Sequence, residues 1–176
     1  MKKAIFLDRD GVINKTVIRK GLPSSPFSLD ELKILPKVKE SILILKKLSF
    51  VCVVVTNQPD VSRGKITKNT VLEINNYLKK ETKFDDIFVC YHDDVDNCDC
   101  RKPKAGLLTQ ASKKWNIDLK KSFMIGDRWI DIEAGNNVGC KTIFIDYKYD
   151  EYKPENPNFI TDSLINAASI IKKINV

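Results

Sequence analysis

The sequence of 176 residues predicts an α/β fold, with a Rossmann-like parallel sheet and helices on both of its faces. Short apolar runs alternate along the chain with longer segments whose apolar residues recur every three or four positions. The short runs are apolar throughout, which is typical of strands buried on both faces. A single domain of this length can bury enough apolar surface to fold without disulfides, so we expect one domain over residues 1–176.

Six of the short runs are expected to form the strands of this sheet. They are rich in valine, isoleucine and phenylalanine, which fit a pleated and buried surface. The expected strands are Ala4–Leu7, Val51–Val55, Ile87–Val89, Phe123–Ile125, Thr142–Ile145 and Phe159–Ile160.

Four helical patterns lie between or after these strands. Apolar residues spaced three and four apart share one face of a helix, which we expect to pack against the sheet. The four faces consist of Val38, Ile42, Leu45 and Leu48; of Val71, Ile74 and Leu78; of Leu107, Leu108, Ala111 and Trp115; and of Leu164, Ala168, Ile171 and Ile174. Proline-containing segments at 15–36 and 147–158 predict a long loop or flap and a second connection.

The chain is basic, with a formal net charge of +7. Most lysines are scattered along the helical patterns, which is typical of a solvated surface and not of a nucleic-acid-binding patch. The apolar run Ala4–Leu7 is too short for a signal peptide or a membrane span, so we expect a cytoplasmic monomer that binds neither membranes nor nucleic acid. Six cations beside glycine, proline or acidic residues remain as candidate phosphate ligands: Arg9, Arg63, Arg101, Lys102, Lys104 and Arg128.

Polar residues follow three of the expected strands. Residues 8–11 read Asp-Arg-Asp-Gly, residues 56–58 read Thr-Asn-Gln, and residues 126–128 read Gly-Asp-Arg, with Asp131 shortly after. Ligands of open α/β sheets bind outside the carboxyl ends of the strands, so these groups should converge in one crevice. Several carboxylates in one place repel one another unless a cation lies among them, and Mg²⁺ prefers oxygen ligands. The sequence therefore predicts a magnesium site there.

The segments FLDRDGVIN, VVVTNQ, CRKP and MIGDRWIDIEAG resemble, in this order, four motifs of the haloacid dehalogenase (HAD) superfamily of phosphohydrolases. The resemblance runs from about Lys2 to Asp146 and is strongest to the small zinc-containing members, subfamily IIIA. It implies a HAD-like fold without a large cap domain. The flap at 15–36 and a loop at 90–100 are then expected to form the substrate wall.

The resemblance also implies a role for individual residues. Asp8 would be the nucleophile that takes the phosphoryl group, and Asp10 the general acid and base, with a pKa raised by its surroundings. Thr56 would bind the phosphate, and Lys102 would hold both nucleophile and phosphate. Mg²⁺ would be bound by Asp8, by Asp127 and by Asp10 through its backbone carbonyl, and would offset the repulsion between two anions.

Three of the five cysteines and the single histidine lie within eleven residues. Cys90-x-His92 followed by Cys98-x-Cys100 supplies the four ligands of a closed, structural zinc site. A redox pair would favour Cys-x-x-Cys, and a catalytic cysteine would need a further histidine. We therefore predict that Zn²⁺ pins the loop at 90–100 and that its aspartates face solvent.

The expected substrate is a small phosphorylated sugar, since the members that the motifs resemble include heptose 1,7-bisphosphate 7-phosphatases, with histidinol phosphate as the alternative. Guanidinium groups bind phosphate oxygens in a bidentate fork, which suits a second, non-reacting phosphate. Alternatively, the candidate arginines Arg63, Arg101 and Arg128 only pair with nearby carboxylates. The residues expected to contact substrate are Asn57, Gln58, Arg63, Arg101, Lys102 and Arg128.

Two other classes of protein fit part of the pattern. A phosphoacceptor receiver domain also combines an α/β sheet with clustered aspartates, threonine and lysine, but its accepting aspartate would follow the third strand, where this chain has the cysteines. A zinc-stabilised nucleic-acid binder would account for the basic charge. The loop at 90–100 is acidic, however, and lacks the interleaved aromatic residues that stack on bases. A phosphatase therefore fits the sequence best.

Overall fold

The structure, a computed structural model, describes residues 1–19 and 21–174, which form eight strands and five helices. The strands are β1 (Lys3–Leu7), β2 (Val17–Arg19), β3 (Leu22–Ser24), β4 (Phe50–Asn57), β5 (Asp86–Cys90), β6 (Phe123–Gly126), β7 (Lys141–Ile145) and β8 (Phe159–Thr161). The helices are α1 (Val38–Lys47), α2 (Lys68–Thr82), α3 (Gly106–Trp115), α4 (Trp129–Asn136) and α5 (Leu164–Ile174).

Six of the strands form one sheet in the order β5-β4-β1-β6-β7-β8, and every neighbouring pair is parallel. The first strand of the chain therefore lies inside the sheet, between β4 and β6. All six predicted strands are present, and the predicted fold class is confirmed.

Successive residues of β1 point to opposite faces of the sheet, as the period of two in a strand requires. Ile5 and Leu7 pack in one apolar layer with residues of α1, α2 and α5. Ala4 and Phe6 pack in a second layer with residues of α3 and α4. Since both layers are buried, the sheet is covered on both faces, and its position is determined by two cores.

Two elements differ from the sequence-based expectation. The flap at 15–36 contains a two-stranded antiparallel ribbon, in which Val17 of β2 pairs with Ser24 of β3. Helix α4 was not predicted, because it has only eight residues and its apolar positions do not follow one clear face. It begins just after β6, where the Asp131 carboxylate accepts a hydrogen bond from the Arg128 backbone N–H at 3.1 Å.

The carboxyl ends of β1, β4 and β6 lie side by side, because these strands are adjacent and parallel. The polar residues that follow them meet at this edge. None of the helices in the described part of the chain is both long enough and apolar enough to cross a bilayer.

Candidate active site

The buried floor of the crevice is organised around one lysine. The Lys102 ammonium donates to Asp8 Oδ1 at 2.6 Å, to Asp131 Oδ1 at 2.6 Å and to the Val55 carbonyl oxygen at 2.8 Å. The Lys102 side chain is only 1% exposed, so its charge is balanced by these two carboxylates and not by water. The two ion pairs raise the pKa of Lys102 although burial lowers it, and the group stays a cation.

Asp127 completes a set of three carboxylates. Single oxygens of Asp8, Asp127 and Asp131 all lie within 4.8 Å of one another. Both carboxylate oxygens of Asp127 are buried, and neither has a hydrogen-bond partner of good geometry among the residues that the structure describes. Burial and the charges of Asp8 and Asp131 raise the pKa of this group well above its usual range, although the Tyr149 hydroxyl opposes the shift. Buried unpaired carboxylates are costly, and a bound divalent cation removes that cost. Asp8 and Asp127 therefore fit the magnesium ion that the sequence predicts, whereas both oxygens of Asp131 already accept hydrogen bonds, from Lys102 and from the Arg128 backbone N–H.

Gly11 makes room for Asp127. Its φ of +94° lies in the left-handed region, and a Cβ atom there would stand 2.0 Å from Asp127 Oδ2. A side chain at this position would be strained and would occupy the space of the carboxylate. Gly11 is therefore needed at this position to leave space for the Asp127 carboxylate.

The pKa of Asp8 is raised to about 7. Burial is the main cause, the carboxylates of Asp131 and Asp10 add to it, and the Lys102 charge opposes it. A cation among these carboxylates would favour the ionised form of Asp8, which is the form that can attack phosphorus.

The surroundings of Asp10 contradict the expectation of a raised pKa. Burial does raise it, but the Arg9 charge and hydrogen bonds from Asn14 and Gln58 outweigh burial and hold the pKa below its usual value. Ser25 of the flap also donates to Asp10 Oδ2 at 2.8 Å. The environment therefore favours the carboxylate form of Asp10, which can act as a base.

Side chains of residues 56–58 are hydrogen-bonded to Asp10 and to the backbone of Lys102. The Gln58 amide nitrogen donates to Asp10 Oδ2 at 2.8 Å and to Thr56 Oγ1 at 2.9 Å, and both Gln58 and Thr56 are 1% exposed. Asn57 exchanges two hydrogen bonds with the backbone of Lys102, at 3.0 and 3.1 Å. Asn57 lines the cavity, whereas Gln58 and Thr56 do not, so contact of these two residues with substrate stays a prediction.

Above this floor lies a cavity of about 650 Å³, whose rim carries the predicted arginines. Arg63 donates to both oxygens of Asp93 at 2.6 Å. Arg101 donates to Asp94 at 2.7 Å. The prediction that the aspartates of the loop at 90–100 face solvent is therefore wrong for Asp93.

Arg128 is the third predicted arginine at the rim, and it donates to both oxygens of Glu151, at 2.8 and 2.9 Å. Glu151 belongs to the connection at 147–158, which thereby reaches the cavity wall. All three arginines line the cavity, but each is also paired with a carboxylate of the chain.

Two other candidate phosphate ligands are placed elsewhere. Arg9 is fully buried and donates to Asp10 and Asn75, so its interpretation as a phosphate ligand is wrong. Lys104 donates to the Asn97 side chain and the Cys98 carbonyl oxygen and does not line the cavity.

The four predicted zinc ligands come together beside β5. The ligand atoms of Cys90, His92, Cys98 and Cys100 lie within 4.8 Å of one another, with separations from 3.1 to 3.6 Å between the closest pairs. Thiolates on a tetrahedral Zn²⁺ stand about 3.8 Å apart. Burial raises the pKa of Cys90 and of Cys100, whereas at Cys98 backbone N–H groups and the neighbouring thiols outweigh burial and lower the pKa to about 7. The cluster therefore fits zinc.

Three residues that line the cavity were not predicted as site residues from the sequence: Arg19, Ser25 and Asp131. Asp131 follows the fourth predicted strand and lies four residues after Asp127, in the first turn of a helix. This spacing is the signal in the sequence that could have placed its side chain at Lys102. Arg19 and Ser25 belong to the flap and line the cavity. No local pattern distinguishes them, because only the folding of the flap over the crevice brings them there.

Known proteins are similar to this chain in both sequence and fold. Residues 99–167 match the family model described as HAD-hydrolase-like. A D-glycero-beta-D-manno-heptose-1,7-bisphosphate 7-phosphatase of Haemophilus influenzae is 31% identical over 99% of both chains. An enzyme of the same name from Helicobacter pylori is 39% identical over 79% of this chain and 80% of its own.

Among solved structures, a D,D-heptose 1,7-bisphosphate phosphatase of B. bronchiseptica, complexed with magnesium and phosphate, superimposes with a TM-score of 0.84. The match covers 98% of this chain and 99% of the other at 27% identity. The predicted resemblance is thus confirmed at the level of sequence and of fold.

Proposed function

Because the chain belongs to the HAD-like hydrolases and is a phosphatase of that family, we propose that it removes the 7-phosphate of D-glycero-D-manno-heptose 1,7-bisphosphate. One observation carries the chemistry of the proposal. A buried lysine bridges two carboxylates beside a third carboxylate whose oxygens are unpaired, all at the carboxyl edge of the sheet. Such a site combines a nucleophile with the positive charge that a phosphoryl group needs.

Asp8 is the proposed nucleophile. One of its oxygens forms a bond to phosphorus while the bond from phosphorus to the sugar oxygen breaks, and the phosphoryl group passes to Asp8. The Lys102 ammonium, 2.6 Å from Asp8, offsets the repulsion between carboxylate and phosphate. Thr56 is proposed to bind a phosphate oxygen.

Asp10 is proposed to act on the protons. As a carboxylate, it would accept a proton from the water that attacks the aspartyl phosphate and releases inorganic phosphate. In the protonated form produced by that step, it would supply the proton that the departing sugar oxygen of the next substrate takes up. Its lowered pKa supports the first of these steps, since a carboxylate is the form that accepts a proton.

Mg²⁺ would be held by the carboxylates of Asp8 and Asp127 and by the backbone carbonyl of Asp10. When bound, it supplies positive charge that neutralises the phosphate oxygens. The zinc cluster is proposed to be structural, because four protein ligands leave no position for substrate. It is also proposed to support the segment that carries Arg101 and Lys102.

The second phosphate of the substrate is proposed to bind at the rim. Arg63, Arg101 and Arg128 line the cavity, and their guanidinium groups can bind phosphate oxygens in place of their present carboxylate partners. Remote binding of this kind positions the reacting end of a substrate and raises kcat/KM. A cytoplasmic, monomeric enzyme remains the prediction from sequence.

A substrate panel tests the proposal. We expect kcat/KM with Mg²⁺ to be highest for heptose 1,7-bisphosphate, and lower for histidinol phosphate, nucleotide monophosphates and an aryl phosphate. A preference for histidinol phosphate would replace the proposed substrate and leave the phosphatase chemistry intact. No phosphate release from any of these esters would contradict the proposed chemistry itself.

A further inference from the structure

Four arginines line the cavity, and each is paired with a carboxylate from the same chain. A guanidinium fork binds a carboxylate and a phosphate with the same two N–H groups. A substrate phosphate that binds one of these arginines must therefore compete with the carboxylate already paired with it. The four pairs are Arg19 with Glu31, Arg63 with Asp93, Arg101 with Asp94 and Arg128 with Glu151.

Three of the four carboxylates are fixed by more than their arginine. Glu31 also accepts the Phe27 backbone N–H at 2.7 Å, and Asp93 accepts the Asp94 backbone N–H at 2.9 Å. Glu151 is half-buried in the connection at 147–158, with its side chain only 16% exposed. Asp93 and Glu151, whose side chains are 19% and 16% exposed, would remain poorly hydrated if their arginines turned to another anion, and Glu31 would stay bonded to Phe27 beside Arg19.

Asp94 is different. Its side chain is 78% exposed, and Arg101 is its only side-chain donor among the residues that the structure describes. On release, its carboxylate regains water at once, so breaking this pair costs little. Arg101, in contrast, is only 18% exposed, lies 3.9 Å from a second carboxylate, that of Asp93, and lines the same cavity as Asp8. It can therefore serve a ligand that also reaches Asp8.

We propose that Asp94 and the non-reacting phosphate of the substrate compete for the Arg101 guanidinium, so that Asp94 sets the affinity of the site for a second phosphate. This inference rests on the proposed function, since it needs a substrate with a second phosphate. A substrate phosphate can bind this fork only by displacing Asp94, because both anions use the same N–H groups. The cost is a reduced affinity for the bisphosphate.

The test is Asp94→Asn, compared with Asp99→Asn. Both changes remove one negative charge from the same loop, but Asp99 is fully exposed and 4.0 Å from Lys104, away from the cavity. Because an exposed ion pair contributes little, removing the competitor should lower KM for heptose 1,7-bisphosphate about two- to fivefold. The change for an aryl monophosphate should be smaller, and Asp99→Asn should show no comparable decrease in KM.

The double variant Asp94→Asn, Arg101→Ala isolates the pair. If Asp94 acts by competing for Arg101, its replacement has no effect once Arg101 is absent, so the double variant should have the KM of Arg101→Ala alone. A fall in KM in the Arg101→Ala background would overturn the proposal.

Two further results would also overturn it. A raised KM in Asp94→Asn would mean that Asp94 holds Arg101 in its binding position, and equal effects of Asp94→Asn and Asp99→Asn would mean that only loop charge matters. If the wild type does not prefer the bisphosphate over the aryl phosphate, the proposed substrate is rejected, and the proposed competition between Asp94 and phosphate is rejected with it. A wild-type preference without an Asp94 effect rejects the competition alone.

Discussion

The floor and the rim of the crevice use charge in different ways. On the floor, the Lys102 side chain is 1% exposed and lies between Asp8 and Asp131. At the rim, Arg101 is paired with an Asp94 side chain that is 78% exposed. Removing one member of a buried set leaves an uncompensated charge, whereas water replaces either member of an exposed pair.

This difference separates chemistry from recognition. The floor holds groups that must keep one position and one charge while phosphorus changes its bonds, and burial enforces both. The rim holds Arg101, which can change partners because its carboxylate, Asp94, is exposed and regains water when it is released. We therefore expect floor substitutions to affect every substrate alike and rim substitutions to affect substrates according to their second phosphate.

The largest effect is expected on the floor. Asp8→Asn replaces the nucleophile with an amide of nearly the same volume, so turnover should fall by at least about a thousandfold for all substrates. Circular dichroism and zinc content should stay as in the wild type. Substantial activity of this variant with Mg²⁺ would remove Asp8 from the mechanism and end the distinction between floor and rim.

The second largest effect is expected in the loop that supports the rim. Cys98→Ser should lower zinc content and destabilise the protein, and a loss of about 3 kcal/mol would lower Tm by about 6 to 12 °C. Cys140→Ala, which removes a buried thiol far from the cluster along the chain, should keep its zinc. Removing magnesium by dialysis should stop turnover without unfolding.

Protein purified without chelators should contain zinc by elemental analysis. Its absence from the wild type would count against the cluster as a zinc site. If Cys98→Ser lost zinc but kept full stability and full activity on bisphosphates, the loop would not support the rim as proposed.

The smallest effect is expected at the rim itself. Arg101→Ala should lower kcat/KM for heptose 1,7-bisphosphate by about 1.5 to 3 kcal/mol, since a charge-assisted contact is lost, and much less for an aryl monophosphate. Lys113→Ala, which removes one positive charge on the exposed side of α3, is the matched control. Equal losses on both substrates would place Arg101 with the floor and contradict the separation described above.

Local sequence patterns predicted most of the fold. The six sheet strands and four helices follow from apolar runs and from spacings of three and four, because one face of each element is buried. The ribbon of β2 and β3 escaped prediction, since its residues are partly exposed and its pairing is set by the flap. Arg9 was misinterpreted because nothing in the sequence shows that its side chain turns inward to Asn75.

The sequence by itself determined which groups meet. Asp8, Thr56 and Asp127 each lie at or just after the end of a buried strand, and the zinc ligands lie close together along the chain, so both sets follow from local order. Tertiary structure alone decided how each charge is used. Lys102 reaches Asp8 across 94 residues, and Arg128 reaches Glu151 across 23. The pKa of a group and the ease with which it changes partners depend on burial and on such distant neighbours, which no local pattern encodes.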